Sequence, residues 1–148
     1  MNETTEDASE IKRVLLAEDD EDDILMFQEA MAEVELPYEL IVAKDGVEVI
    51  DLLKGEEESP DIVFMDINMP RKNGFECLTE IREILSESEI PVIFLSTHQN
   101  EELIKTAKKL GASGYIKKPT SFKKFKTALN DVVTRNWKTG LRMDFYIA

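Results

Sequence analysis

Four short stretches place side chains able to do chemistry directly after apolar runs. Glu18-Asp19-Asp20 follows Val14–Ala17, and Asp66 follows Ile62–Met65. Ser96-Thr97 closes the run Pro91–Leu95, and Lys117-Lys118 precedes Pro119. If the chain folds so that these ends converge, two or three carboxylates, a hydroxyl and an ammonium share one small cleft. Carboxylates crowded together repel one another and lose solvation, a cost that a bound cation relieves. All-oxygen ligation favours Mg²⁺, Mn²⁺ or Ca²⁺, and a shallow site that leaves room for water suits Mg²⁺ best. The hydroxyl and the ammonium would then hold an anion opposite the metal, the arrangement that phosphoryl transfer requires. There is no Gly-rich Walker loop and no dinucleotide fingerprint, so the phosphate is not expected to arrive as a firmly held nucleotide.

The elements that must position these groups are legible in the periodicity. Apolar, β-branched runs recur at Val14–Ala17, Leu40–Val42, Ile62–Met65, Pro91–Leu95 and Gly114–Ile116. The third and fourth are apolar on both sides, as strands covered by helices on both faces are. Between them lie stripes at helical spacing: Ile24, Phe27, Met31 and Val34; Val47, Ile50 and Leu53; Phe75, Leu78, Ile81 and Leu85; Leu103, Ala107 and Leu110; Phe122, Phe125, Leu129 and Val132. Asn100 and Ser121 are expected N-caps, and Gly111 stands just past the fourth helix. Five strand-then-helix repeats imply a parallel sheet with right-handed crossovers. They are too few for an eight-stranded barrel, so an open, doubly wound α/β sheet follows, with its site beyond the carboxyl ends of the strands.

Composition bounds the rest. The chain has 148 residues and a formal charge of −13, with 43% hydrophobic residues. That is one globular domain with a real core, not a disordered chain. The single Cys77 cannot form an internal disulfide, and a reducing, cytoplasmic location is the default. No apolar run approaches the roughly 20 residues of a membrane span. The charge argues against binding to nucleic acid or anionic membrane by the whole molecule. It is uneven: residues 115–148 hold eight basic and two acidic side chains.

The ordered set of strand ends resembles the receiver domains of two-component response regulators, over roughly residues 12–135. The residues that carry the likeness are Glu18-Asp19, Asp66-Ile67-Asn68-Met69-Pro70 with Gly74, Ser96-Thr97, and Gly111-Ala112-Ser113-Gly114-Tyr115-Ile116-Lys117-Lys118-Pro119. The variants are similar to stand-alone regulators of the cyanobacterial phytochrome-partner and Bacteroidetes kind. The resemblance implies a flavodoxin-like, five-stranded sheet of order 2-1-3-4-5 with five helices. It implies that Asp66 is the phosphoacceptor for the phosphohistidine of a sensor histidine kinase or a histidine phosphotransfer protein. Glu18, Asp19, Asp66 and the backbone carbonyl of Asn68 would hold Mg²⁺ (or Mn²⁺), with Glu18 acting through a water. Ser96 rather than Thr97 would hydrogen-bond the phosphoryl group, and Lys118 would pair with it. Tyr115 would be the rotameric switch that turns inward with Ser96, and the bond before Pro119 would be cis. Asn68 and His98 would flank the line of water attack and modulate dephosphorylation, although an exposed loop histidine is the simpler expectation for His98. The rest of the run ending at Asp23 reads as solvated or helix-capping, namely Asp20, Glu21, Asp22 and Asp23.

The domain reading is an acidic, disordered tail at 1–10, a receiver domain at 11–136, and an extension at 137–148. In that extension Leu141, Met143, Phe145 and Ile147 alternate with Arg142, Asp144 and Tyr146. This is strand periodicity without a place in a five-stranded sheet. The segment could dock on its own domain, pair with a second subunit, or be a cloning remnant. With no room for a helix-turn-helix domain after residue 136, direct DNA binding is not expected. Output would pass by protein contact through the face of the fourth helix, fifth strand and fifth helix, which commonly forms homodimers in the family. The protein would be a phosphoacceptor that catalyses its own phosphotransfer and dephosphorylation rather than an enzyme acting on a separate substrate. Two rivals stand beside this reading. A haloacid-dehalogenase-type phosphatase needs a second Asp two residues past its nucleophile, where Asn68 stands. A phosphorylation-independent interaction module would not need the complete acceptor set.

Overall fold

The computed structural model describes residues 11, 13–34, 37–55, 59–86, 89–98, 100–118, 121–135, 137 and 145–148. Strands and helices alternate along the chain: β1 (Arg13–Ala17), α1 (Glu21–Met31), β2 (Glu39–Ala43), α2 (Gly46–Lys54), β3 (Ile62–Asp66), α3 (Gly74–Ile84), β4 (Val92–Ser96), α4 (Glu101–Lys109), β5 (Gly114–Lys117) and α5 (Phe122–Val133). The strands are parallel and lie in the order β2-β1-β3-β4-β5. The register runs Leu16↔Phe64, Phe64↔Ile93 and Ile93↔Gly114 across the centre.

The five-stranded expectation needs one correction. A sixth, two-residue strand, β6 (Tyr146–Ile147), adds in parallel to the free edge of β5, so the order is β2-β1-β3-β4-β5-β6. The physical reason is the unpaired row of N–H and C=O groups that an edge strand presents. Tyr146 N–H donates to Ser113 O at 3.1 Å, Ala148 N–H to Tyr115 O at 3.1 Å, and Lys117 N–H to Ala148 O at 2.9 Å. Of the alternating residues, Phe145, Tyr146 and Ile147 are described; Leu141, Arg142, Met143 and Asp144 lie outside the described residues, as do the expected acidic tail at 1–10 and Pro119, whose peptide bond was expected to be cis.

Helix boundaries follow their caps. Asp20, Asp45, Asn73, Asn100 and Ser121 each accept, through the side chain, the N–H three residues on, which satisfies one of the orphan donors of a helix start. Gly111 follows α4 with φ +101°, a conformation that glycine adopts without steric cost. Two buried layers fill the faces of the sheet. On one, Val49, Ile50 and Leu53 of α2, Cys77, Leu78 and Ile81 of α3, and Ala107 of α4 cover Leu15, Val63, Met65 and Phe94. On the other, Phe27 of α1 lies edge-on to Phe64 at 5.1 Å and to Phe125 of α5 at 6.2 Å, and Trp137 is buried against the same layer. Phe122, placed by spacing on the apolar stripe of α5, is instead 38% exposed. It opens the helix at the N1 position, where the stripe has not yet turned into the core, and Lys126 Nζ lies 5.7 Å above its ring.

Candidate functional site

The site forms where β1, β3, β4 and β5 end on the same side of the sheet. Each strand carries its chemistry one step beyond, or at, its last apolar residue, because a parallel sheet aligns its carboxyl ends. Glu18, Asp19 and Asp66 each bring a carboxylate oxygen within 4.8 Å of the others. Glu18 is buried at 1% exposure, Asp66 is half-buried and Asp19 is exposed. One side of the trio is thus walled by protein and the other is open to water. Asn68 is exposed in the loop that follows β3.

Burial first, and the charge of Asp66 second among the unfavourable influences, pushes the Glu18 carboxyl up to about 7, although hydrogen bonding to Lys118 opposes this. Asp66 is also raised, mainly by burial, against the pull of Lys118 and of the Asn68 and Ile67 N–H groups. Both carboxylates are therefore costly to hold ionised, a cost that a divalent cation would relieve. Three hard carboxylate donors converging on a half-open space fit Mg²⁺ or Mn²⁺ in donor chemistry.

Lys118 borders the same cleft, with its side chain only 8% exposed. Its Nζ lies 2.9 Å from Glu18 Oε1, 2.8 Å from Asp23 Oδ2 and 3.9 Å from Asp66 Oδ1. Burial alone would lower its pKa, but hydrogen bonds to Asp23 and Glu18 and the charge of Asp66 outweigh it, so the ammonium is held charged. Asp23 was expected to be a solvated or capping residue. It sits in the first turn of α1, where its carboxylate reaches the end of β5 across 95 positions of sequence. Nothing in an acidic run marks which member will face inward. The reading of Asp20 as a cap holds, since its Oδ2 accepts the Asp23 N–H at 2.9 Å.

Ser96 and Thr97 separate clearly. Ser96 is 3% exposed and its hydroxyl accepts the His98 N–H at 3.1 Å, whereas Thr97 is exposed and 3.2 Å from His98 Nδ1. Tyr115 is fully buried and inward, its hydroxyl donating to the His98 carbonyl at 2.5 Å. The backbone of His98, just past β4, is thus held by Ser96 through its N–H and by Tyr115 through its carbonyl. The His98 ring itself is exposed.

The loop after Asp66 is held by features that spacing did not reveal. Gly74 N–H donates to Ile67 O at 2.7 Å, and a Cβ on Gly74 would meet Asp66 O at 2.5 Å. Lys72 N–H donates back to Pro70 O at 2.7 Å, so Arg71, at φ +67°, sits at the centre of a γ-turn of the rarer hand. Its guanidinium grips the buried carboxylate of Asp45. One sequence signal was available: Asp45 followed by Glu48 reads as a helix start, and Asp45 is that cap.

Comparison with known proteins agrees with this geometry. The model of the response regulator receiver domain matches residues 14–130. The chain is 37% identical to the chemotaxis protein CheY of Halobacterium salinarum over 124 residues, which covers 83% of this chain and 98% of that protein. Among solved structures it is similar to the phosphorylated cyanobacterial phytochrome response regulator RcpA, with TM-score 0.76 and 31% identity over 88% of this chain and 97% of the other. It is similar also to the Mn²⁺-bound form of response regulator Rcp1, with TM-score 0.73 and 28% identity over 89% and 98% of the two chains.

Proposed function

The chain belongs to the response regulator receiver domain family, and from that premise we propose that it is a phosphorylatable switch whose acceptor is Asp66. In this reading an Asp66 carboxylate oxygen forms a bond to phosphorus as the N–P bond of a phosphohistidine breaks. The electron pair of that bond returns to the imidazole of the donor, a sensor histidine kinase or a histidine phosphotransfer protein. Water later attacks the same phosphorus, releasing inorganic phosphate and restoring the carboxylate. The observation that carries the proposal is the juxtaposition of three carboxylates within 4.8 Å and one buried ammonium 3.9 Å from Asp66.

Glu18, Asp19, Asp66 and the Asn68 carbonyl would hold Mg²⁺, or Mn²⁺ as the Rcp1 structure does. When bound, the ion neutralises the crowded carboxylates and the charge of the incoming phosphoryl group. The side chains do the rest. Asp66 supplies the nucleophile. Lys118 holds a positive charge beside it, and the Ser96 hydroxyl, free to exchange its His98 contact, donates to a phosphoryl oxygen. Because Ser96 and Tyr115 both hold His98, movement of Ser96 is transmitted to the loop before α4 and to Tyr115. We propose that output runs from there through the face of α4, β5 and α5 to a downstream protein or a second copy. The protein works in the cytoplasm in this reading; among the described residues no helix is long and apolar enough to cross a membrane. Residues 11–136 would form the switch itself, and the segment from 137 would act on its β5 edge.

Phosphotransfer from purified, phosphorylated histidine kinases tests this. Label should move to the protein within minutes when Mg²⁺ is present, and not when the metal is chelated. Steady turnover of a generic phosphomonoester, with no phosphoprotein accumulating, would favour the phosphatase rival instead.

A further inference from the structure

The proposed site asks one residue to serve two cations. Glu18 belongs to the metal-facing trio and also accepts from the Lys118 ammonium at 2.9 Å. Lys118 lies near Asp66 as well, so an ammonium satisfied by these two acids alone would compete with a divalent ion for both of them. Asp23 changes that balance. It lies outside the trio, yet its Oδ2 lies 2.8 Å from Lys118 Nζ, as close as Glu18 Oε1 at 2.9 Å.

The backbone of Asp23 is fixed without Lys118. It stands three residues after the cap of α1, with its N–H bound by Asp20 Oδ2, and its side chain is 30% exposed. A carboxylate in the first turn of a helix is stabilised by the unpaired N–H groups there, so it can present charge to a neighbour at little cost. The neighbour is an ammonium on a strand end, 95 positions away, that is nearly removed from water.

We propose that Asp23 is a positioning residue that holds the Lys118 ammonium while Glu18 and Asp66 turn toward a divalent cation. It rests on the reading of Glu18, Asp19 and Asp66 as the metal-facing acids. Lys118 stays beside Asp66, ready to pair with a phosphoryl group, without occupying the oxygens that the metal needs. Without Asp23, the ammonium falls back on Glu18 and Asp66 and competes for them.

The test is Mg²⁺ binding to the unphosphorylated full chain, measured by titration calorimetry. Asp23→Asn keeps shape and hydrogen-bonding capacity but removes the charge. It should weaken Mg²⁺ binding by roughly five- to tenfold, the lower end of a typical coupling between two sites. Asp22→Asn, at the exposed neighbouring position, removes the same charge from the same run and should weaken binding by less than about twofold, because exposed charges are screened. Asp23→Glu should restore most of the affinity. In a Lys118→Met background, Asp23→Asn should have no more effect than Asp22→Asn, since its action runs through the ammonium. Should Asp23→Asn fail to fold, Asp23→Ser replaces it under the same expectations. Equal effects of Asp23→Asn and Asp22→Asn would overturn the proposal, as would an undiminished effect without Lys118. If the unsubstituted protein binds no Mg²⁺, the metal reading of the trio falls, and this inference with it.

Discussion

Arg71 and Asp45 join two loops that are 26 positions apart in sequence: the Nε and Nη2 atoms of Arg71 each lie 2.8 Å from Asp45 Oδ2, while Asp45 Oδ1 accepts the Glu48 N–H that starts α2. One carboxylate therefore caps a helix and clamps the loop that follows Asp66. The clamp holds Arg71 at positive φ, a conformation that costs a non-glycine residue of order 1 kcal/mol. Gly46 adds to it, since a Cβ there would meet Lys72 O at 2.6 Å. Asp45→Ala loses cap and clamp together and should destabilise the protein by about 2 kcal/mol or more. Arg71→Ala loses only the clamp, whose arginine side chain is 59% exposed, and should cost about 1 kcal/mol or less. Urea denaturation of the two variants checks the ranking.

Glu18 predicts a pH dependence of opposite sign to an ordinary ion-paired carboxylate. Its carboxyl titrates near 7 in the fold against 4.5 when free, so between those values the native state binds more protons than the unfolded chain. Its contribution to stability is therefore present at low pH and is lost as pH rises from about 4.5 through 7. Asp66, raised for the same main reason, acts in the same direction. Melting of the metal-free protein should fall across this range by the equivalent of about 1–3 kcal/mol. Glu18→Gln should flatten the profile, and millimolar Mg²⁺ should raise stability chiefly at the alkaline end, where the carboxylates are charged.

The β6 edge makes a prediction separable from the site. A Cβ on Gly114 would lie 2.9 Å from Tyr146 Cβ and 3.0 Å from both Tyr146 O and Ile93 Cδ1. Phe145 lies under Lys108 of α4, and Tyr146 stacks with Arg135 at 4.7 Å. Gly114→Ala should dislodge β6 while leaving the five central strands paired. Hydrogen exchange would show it: the amides of Lys117, Tyr146 and Ala148 lose protection, and those of β1, β3 and β4 keep theirs.

His98 is tied by its backbone to Ser96 and Tyr115 while its ring stays in solvent. His98→Ala keeps those backbone bonds and removes only the ring. It should change the rate of phosphate loss several-fold, with little change in stability. Decay of the labelled phosphoprotein measures it, and an unchanged rate would remove His98 from the reaction.

The fold and most of the cleft were readable because their signals are local. Apolar runs such as Ile62–Met65 and the polar residue that ends each one are contiguous in sequence, and the parallel topology that aligns them follows from the alternation. What escaped depends on contacts between distant segments. Asp23 looked like its acidic neighbours, and only the docking of α1 beside the end of β5 singles it out. The Asp45–Arg71 clamp joins two loops, and neither residue is unusual in its own. The alternation around Tyr146 signalled a strand but carried no mark of its partner, since an edge is chosen by the geometry of the whole sheet. Phe122 shows the converse error, a residue with the right spacing one position too early to reach the core.

The central claim is that Asp66 becomes phosphorylated in this cleft. Incubation with Mg²⁺ and acetyl phosphate, followed by intact-mass measurement, tests it most directly. The expected result is a gain of one phosphoryl group that disappears in Asp66→Asn and when the metal is chelated. No gain in the unsubstituted protein, or a gain that persists in Asp66→Asn, would contradict it.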